Sequence, residues 1–131
     1  MEDAKLIKAA SHDQRVVIVG TGLIGMEVSS ALAQSGTTAS ITVIGQDHRV
    51  MGNIVSEVVS NALIKLHKEK GVQFVFDASV AEIMAAENNT TNNEDNFSQV
   101  CGVKLANGEQ IDADIVILGT GVAPRIELLQ D

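Results

Sequence analysis

Short apolar runs alternate with amphipathic stretches through the first part of the chain. The runs at 16–19, 39–44 and 72–76 are rich in β-branched residues, which predicts strands buried on both faces of a sheet. Apolar residues recur at helical spacing between these runs, at Ile24, Val28, Ala31 and Leu32, and again at Val55, Val58, Val59, Ala62, Leu63 and Leu66. Gly36 and Gly71 are expected to end the two helices. Strands that alternate with helices indicate an α/β fold with a parallel sheet.

The second part of the chain changes to an alternating pattern. Residues 79–86 and 100–106 predict antiparallel strands, and Asn107-Gly108 predicts a hairpin turn to a third strand at 109–113. The fully apolar run at 115–118 predicts a strand that returns to the parallel sheet, in the spatial order third, second, first, last. We therefore predict a single domain over 1–131, with a Rossmann-like parallel sheet, flanking helices and an antiparallel three-stranded β-meander as a crossover.

Four smaller predictions complete the assignment. Residues 2–10 predict a short entry helix, and residues 125–130 predict the beginning of another helix. Residues 87–96 contain no apolar residue and predict a mobile hairpin tip. His67 and the neighbouring lysines are expected on the solvated face of their helix.

The junction of the first strand and its helix carries the candidate chemistry. Gly20, Gly22 and Gly25 stand at G-x-G-x-x-G spacing. In such a loop the first glycine permits a tight turn, the second lets a pyrophosphate approach the backbone, and the third lets the helix pack closely on the strand. The order of strand, loop and helix therefore predicts a dinucleotide site at the helix N-terminus. A second glycine-rich loop, 119–121, follows the last strand and should converge on the same crevice.

Composition excludes several other classes of function. The chain has 131 residues, a net charge of -8, three Phe and no Tyr or Trp, which argues against nucleic acid and anionic membranes as partners. Cys101 is the only cysteine, so an internal disulfide and a cysteine-rich metal site are excluded. No apolar run reaches the length of a membrane span, and residues 1–15 lack the apolar core of a signal peptide. We therefore expect an intracellular protein, with its compartment left open.

Three segments resemble a known family. They are V-V-I-V-G-T-G-L-I-G-M-E at 16–27, the helix at 51–67, and I-D-A-D-I-V-I-L-G-T-G-V-A-P at 111–124. All three are similar to the NAD(P)H-binding domain of FAD-dependent pyridine nucleotide-disulfide oxidoreductases, in the ferredoxin reductase and apoptosis-inducing-factor-like group. The resemblance runs from about residue 3 to residue 129.

The resemblance implies that the chain is one domain of a larger flavoprotein oxidoreductase. In such enzymes a hydride passes from the nicotinamide to FAD, and electrons pass onward to an iron–sulfur protein or a quinone. The chain has one glycine fingerprint, and its late motif is G-T-G without the Asp that holds flavin in the family. FAD is therefore expected on another domain of the parent chain and not on this one.

The resemblance also implies which residues contact the nucleotide. The backbone of Gly22, Leu23 and Ile24 would meet the pyrophosphate, Glu27 the nicotinamide side and Val80 the adenine. The full candidate set is Gly20, Gly22, Leu23, Ile24, Gly25, Glu27, Gly45, Gln46, Asp47, Arg49, Val80, Gly119, Thr120 and Gly121. No catalytic acid or base and no metal ligand is expected.

One departure from the family concerns the choice of nucleotide. Gly45 stands where most NADH-binding members have an acidic residue after the second strand. Asp47 could take over the ribose contact, whereas His48 and Arg49 could reach a 2′-phosphate. We expect NADH to be the better ligand, with NADPH possible, and we expect Gly45→Glu to tighten NADH binding.

Two rival functions are weaker. A non-catalytic NAD-sensing regulatory module is the main alternative, but it usually carries an acid after the second strand and lacks the long antiparallel meander. A short-chain dehydrogenase needs a catalytic Tyr, which the chain does not contain.

Overall fold

A computed structural model describes residues 2–86 and 99–121 as alternating helices and strands followed by a meander. In chain order the elements are α1 (Glu2–Ala10), β1 (Arg15–Val19), α2 (Leu23–Ser35), β2 (Ser40–Ile44), α3 (Glu57–Glu69), β3 (Val72–Val75), β4 (Val80–Ala85), β5 (Val100–Leu105), β6 (Gln110–Asp112) and β7 (Ile115–Leu118). The predicted α/β class is confirmed, and each of these elements was predicted close to its observed position. The predicted tip at 87–96 and helix at 125–130 lie outside the described residues.

The central sheet is parallel and has the strand order β3-β2-β1-β7, as predicted. Strand β1 lies in the middle, where Val16 is paired with Ile41 of β2 and with Ile115 of β7. A strand in this position is covered on both faces, and Val16, Val17 and Ile18 are each 1% exposed or less. The run of β-branched residues in β1 is therefore the sequence signature of this central position.

The two faces of the parallel sheet are covered by different layers. Val16 and Ile18 point to the helical layer and pack with Leu32 of α2. Val17 points the opposite way and packs with Leu105 of the β4-β5-β6 meander, which forms a separate antiparallel sheet. Because side chains alternate along a strand, one apolar run in β1 supplies two cores. The described residues form three layers, with helices, parallel sheet and meander in that order.

The buried face of α2 agrees with the predicted one at Val28 and Leu32 and differs from it at Ile24 and Ala31. The helix buries Gly25, Met26, Ser29 and Leu32. Ile24 is 41% exposed, and Ala31 is also exposed. Small residues at Gly25 and Ser29 let the helix approach the sheet, so close packing rather than hydrophobicity decides which side faces inward.

Helix α3 turns two polar side chains inward. The hydroxyl of Ser60 is fully buried and donates to the Val50 carbonyl at 2.7 Å. His67 is 9% exposed, and its Nε2 lies 3.3 Å from the carbonyl oxygen of Met26 in α2. The prediction that His67 lies on a solvated face is therefore wrong. Val58, Val59 and Leu66, predicted to pack inward, are 80%, 45% and 54% exposed. The buried side of α3 carries Ser60 and His67 instead.

Strands β1 and β7 are tied together at their amino ends by an ion pair. The backbone amide and guanidinium of Arg15 donate to the Asp114 carboxylate at 2.8 to 3.0 Å, and the Asp114 amide donates to the Arg15 carbonyl at 2.8 Å. The hydrogen bonds from the Arg15 side chain and backbone lower the pKa of Asp114 from 3.8 to about 2. The pair lies at the opposite end of β1 from the glycine loop.

Asp114→Asn should lower the free energy of unfolding at pH 7, and this deficit should shrink as the pH falls from about 4 towards 2. The pKa of Asp114 is depressed in the folded protein, so its contribution is fully present above the ordinary value of 3.8 and is lost as the pH falls through about 2. Urea unfolding of both proteins across this range measures the difference, with Glu82→Gln on the exposed side of β4 as a control. A deficit that does not change with pH would contradict the assigned role of the ion pair.

Candidate dinucleotide-binding cleft

Three glycines bring β1, α2 and β7 into backbone contact. A Cβ atom on Gly25 would overlap the carbonyl oxygen of Gly20, and one on Gly20 would lie 2.7 Å from the carbonyl carbon of Gly119. Gly20 also has a φ of +121°, which side chains rarely allow. A Cβ on Gly119 would lie 3.2 Å from the amide nitrogen of Gly25. Any side chain at these positions would therefore push the helix away from the ends of the strands.

Gly22 has a different environment from these three. It is the N-cap of α2 with φ -79° and ψ -170°, and no atom lies within 4 Å of the position that its Cβ would occupy. The first hydrogen bond of the helix runs from the Met26 amide to the Gly22 carbonyl at 3.0 Å. The amides of Leu23 and Ile24 therefore precede the helical ladder and point towards the helix N-terminus, where an anion is favoured.

A cleft of about 470 Å³ opens in front of this junction, at the carboxyl ends of the parallel strands. It straddles β1, since one wall follows β2 and the opposite wall follows β7. The lining residues that the sequence had identified are Gly20, Gly22, Leu23, Ile24, Gly45, Gln46, Asp47, Val80, Gly119, Thr120 and Gly121. The structure thus brings together most of the candidate set.

Three candidates lie outside the lining. Gly25 is buried beneath the glycine loop, and the side chain of Glu27 is exposed on α2. Arg49 is turned onto its own loop, where its guanidinium donates to the carbonyls of Val55 at 2.9 Å and Gly52 at 2.7 Å. The guanidinium therefore stabilises the segment between β2 and α3. Contacts from Glu27 and Arg49 to a nucleotide remain predictions.

Sequence reasoning did not identify five lining residues, which are Val19, Thr21, Ile44, Ala78 and Ser79. Thr21 is the most informative of them, because it is 6% exposed and packs against Gly45. A Cβ atom on Gly45 would lie 2.7 Å from Thr21 Oγ1 and 3.1 Å from Thr21 Cβ. The sequence signal for Thr21 is its position between Gly20 and Gly22, the first two glycines of the fingerprint. Its position next to the end of β2 is visible only in the structure.

Among the described residues that line the cleft, the one charged side chain is that of Asp47, on the β2 side. A phosphate in the cleft would therefore depend on backbone amides and the helix dipole. Within residues 2–86 and 99–121, no group of three His, Cys, Asp or Glu side chains could hold a metal ion. No helix in the same ranges has the length and apolar character needed to cross a membrane.

Comparison with protein families gives a match over the whole chain. Residues 1–131 fit the family described as pyridine nucleotide-disulphide oxidoreductase. The chain belongs to this family. The resemblance inferred from the glycine loop and the late G-T-G motif is therefore confirmed.

Characterised members of this oxidoreductase family resemble the chain over almost its full length. It is 31% identical to the ferredoxin–NAD(+) reductase component of a 3-phenylpropionate/cinnamic acid dioxygenase from Photorhabdus laumondii, over 100% of the chain. It is 34% identical to a rubredoxin-NAD(+) reductase from Acinetobacter baylyi, over 92% of the chain. The chain spans 30% and 28% of the lengths of these two proteins.

Solved structures agree with the fold. A ferredoxin reductase from Rhodopseudomonas palustris superposes with a TM-score of 0.81 at 25% identity, over 98% of this chain and 29% of that one. The reductase in a covalent putidaredoxin reductase–putidaredoxin complex superposes with a TM-score of 0.80 at 28% identity, over 98% of this chain and 29% of that one. The parallel sheet with its antiparallel meander is thus shared with these reductases.

Gly25→Ala should lower the free energy of unfolding by about 1–3 kcal/mol, because the new methyl group would overlap the Gly20 carbonyl. The direction is diagnostic, since an alanine inside a helix normally adds about 0.5–1 kcal/mol of stability relative to glycine. Gly22→Ala is the matched control and should lower stability less than Gly25→Ala does, by about 0.5–1 kcal/mol, because alanine is only a poorer N-cap and meets no atom there. Chemical unfolding measures all three proteins. A stabilised Gly25→Ala variant would contradict the close backbone contact.

Proposed function

We propose that this chain is the NAD(P)H-binding domain of a larger flavin-dependent reductase and that its cleft holds the nicotinamide nucleotide. The observation that carries the proposal is the open space in front of Gly22, at the N-terminus of α2 and at the carboxyl edge of the parallel sheet. In open α/β sheets, ligands bind beyond the carboxyl ends of the strands, at the point where the order of the strands reverses. Membership of the oxidoreductase family supports the assignment.

The volume and the position of the cleft support a dinucleotide as its ligand. Its volume of about 470 Å³ lies in the usual range for small-molecule sites. A pyrophosphate in the centre would face the amides of Leu23 and Ile24 without obstruction from Gly22. An adenosine would then extend to the β2 side, towards Asp47, and a nicotinamide to the β7 side, towards Thr120.

The residues of the chain would bind and orient the nucleotide. A bound reduced nicotinamide would supply a hydride and become oxidised, and FAD on another part of the parent protein would be reduced by it. No lining residue is required as a general acid or base for this transfer. The task of the cleft would be to hold the ring in place, and the glycines at 119 and 121 would leave backbone groups accessible for contacts with it.

We also propose that electrons leave the parent protein for an iron–sulfur acceptor. The support comes from the names of the relatives, which are reductases of ferredoxin and rubredoxin. A solved relative forms a complex with putidaredoxin. The two named reductases are more than three times as long as this chain. The binding site for the electron acceptor is therefore proposed for the parent protein and not for this chain.

Of the two nicotinamide nucleotides, we propose NADH as the better ligand. A 2′-phosphate needs a cation, yet the part of the lining that residues 2–86 and 99–121 form contains no lysine or arginine and includes Asp47. Arg49, the nearest candidate in sequence, donates to the carbonyls of Gly52 and Val55. Because position 45 lacks a carboxylate, the preference for NADH should stay below about a hundredfold.

Gly22→Val should weaken NADH binding at least about tenfold while the protein stays folded. The valine side chain would occupy the open space in front of the α2 amides, and the φ of -79° at this position allows a side chain. Calorimetric titration with NADH measures the affinity, and circular dichroism checks the fold. Ala31→Val, on the exposed face of α2, is the control and should bind NADH like the unmodified protein. Equal affinity in a folded Gly22→Val variant would move the nucleotide to another site.

A further inference from the structure

Thr21 and Gly45 lie against each other where β1 and β2 end. The Thr21 side chain fills the space next to the Gly45 Cα atom, so a Cβ on Gly45 would lie 2.7 Å from Thr21 Oγ1 and 3.1 Å from Thr21 Cβ. Both residues are almost completely buried, and both line the cleft. Their contact forms the floor of the cleft on the β2 side.

The backbone holds both residues in place. The Gly45 amide donates to the Val75 carbonyl at 2.9 Å, and the Gly45 carbonyl accepts from the Ala78 amide at 3.0 Å. The Thr21 carbonyl accepts from the Met51 amide at 2.8 Å. Neither residue can therefore move away without breaking hydrogen bonds between elements. The space between them accommodates the side chain of Thr21 or a side chain at position 45, but not both.

We propose that Thr21 is the specificity-determining residue for the adenosine ribose in this cleft. Its side chain excludes any side chain at position 45, and its hydroxyl replaces a carboxylate there as the partner of the ribose hydroxyls. This inference rests on the proposed nucleotide-binding function and names the residue that sets its selectivity.

A hydroxyl at Thr21 and a carboxylate at position 45 would differ in charge and in the hydrogen bonds that they offer to the ribose. A carboxylate accepts hydrogen bonds from two ribose hydroxyls and repels a 2′-phosphate, whereas a threonine hydroxyl accepts and donates and carries no charge. A cleft that uses Thr21 should therefore hold NADH less tightly and discriminate less strongly against NADPH. Position 45 is therefore a glycine because Thr21 occupies the space that a side chain with a carboxylate would need there.

The same contact revises the expectation for Gly45→Glu. Without a change at Thr21, the new Cβ has no space, so the single substitution should weaken NADH binding instead of tightening it. Thr21→Ala removes both atoms that lie beyond the Thr21 Cβ and leaves that Cβ 3.1 Å from the new one, a contact that a small shift relieves. The double variant Thr21→Ala/Gly45→Glu should then accept the carboxylate.

The first experiment tests the hydroxyl by calorimetric titration of NADH into the full chain. Thr21→Val keeps the shape and removes the hydroxyl, so its affinity should fall about three- to tenfold. Thr21→Ser keeps the hydroxyl and should bind within about twofold of the unmodified protein. Equal affinities in Thr21→Val and the unmodified protein would overturn the role of the hydroxyl. Absence of NADH binding to the unmodified protein would instead refute the proposed function.

The second experiment tests the exclusion with NADH and NADPH at one salt concentration. Relative to Thr21→Ala, the double variant should raise the ratio of NADH to NADPH affinity at least about tenfold. Gly45→Glu alone should bind NADH at least tenfold more weakly than the double variant, or fail to fold. An unchanged ratio in the double variant, or a double variant that does not fold, would overturn the claim that Thr21 is the obstacle at position 45.

Discussion

The backbone contact among Gly20, Gly25 and Gly119 is the constraint on which the cleft depends. It holds the N-terminus of α2 against the carboxyl ends of β1 and β7, at distances that no side chain permits. The amides of Leu23 and Ile24 in the first turn of α2 then face the carboxyl edge of the sheet. The loops that follow β2 and β7 diverge at this edge. Gly22 completes the arrangement because it leaves the space in front of those amides open. Gly20, Gly25 and Gly119 therefore allow the close packing of helix and strands. Gly22 allows a ligand to reach the amides of α2.

The ion pair that joins two strands of the parallel sheet is separated from the cleft. Arg15 and Asp114 join β1 and β7 at their amino ends, whereas the glycine loops occupy the carboxyl ends of the same strands. Between these ends, β1 supplies one core with the helices and another with the meander. Ile44 and Val80 belong both to the lining of the cleft and to the core against the meander, so a substitution there would affect that core but not the ion pair.

The helices and strands, the strand order and most of the residues that line the cleft could be predicted from the sequence, because they follow from local patterns. The β-branched run in β1, the glycine spacing and the Asn107-Gly108 turn each act within a few residues. The errors arose where distant backbone groups decide the outcome. His67 faces inward because the Met26 carbonyl lies opposite it, and Thr21 governs position 45 through a contact between two strand ends. Neither contact is visible in hydrophobic periodicity.

The central claim is that the cleft at the carboxyl edge of the sheet is the nucleotide site, and amide chemical shifts test it most directly. NADH should be titrated into the ¹⁵N-labelled chain while amide resonances are followed by NMR. We predict saturable shifts at the amides of Gly22, Leu23 and Ile24, together with those of 45–47 and 119–121, which line the cleft. A second groove lies between α1 and α2, where Ile7, Val28 and Leu32 line it, and its amides should remain unaffected. Shifts concentrated in that groove, or no shifts at saturating NADH, would contradict the account.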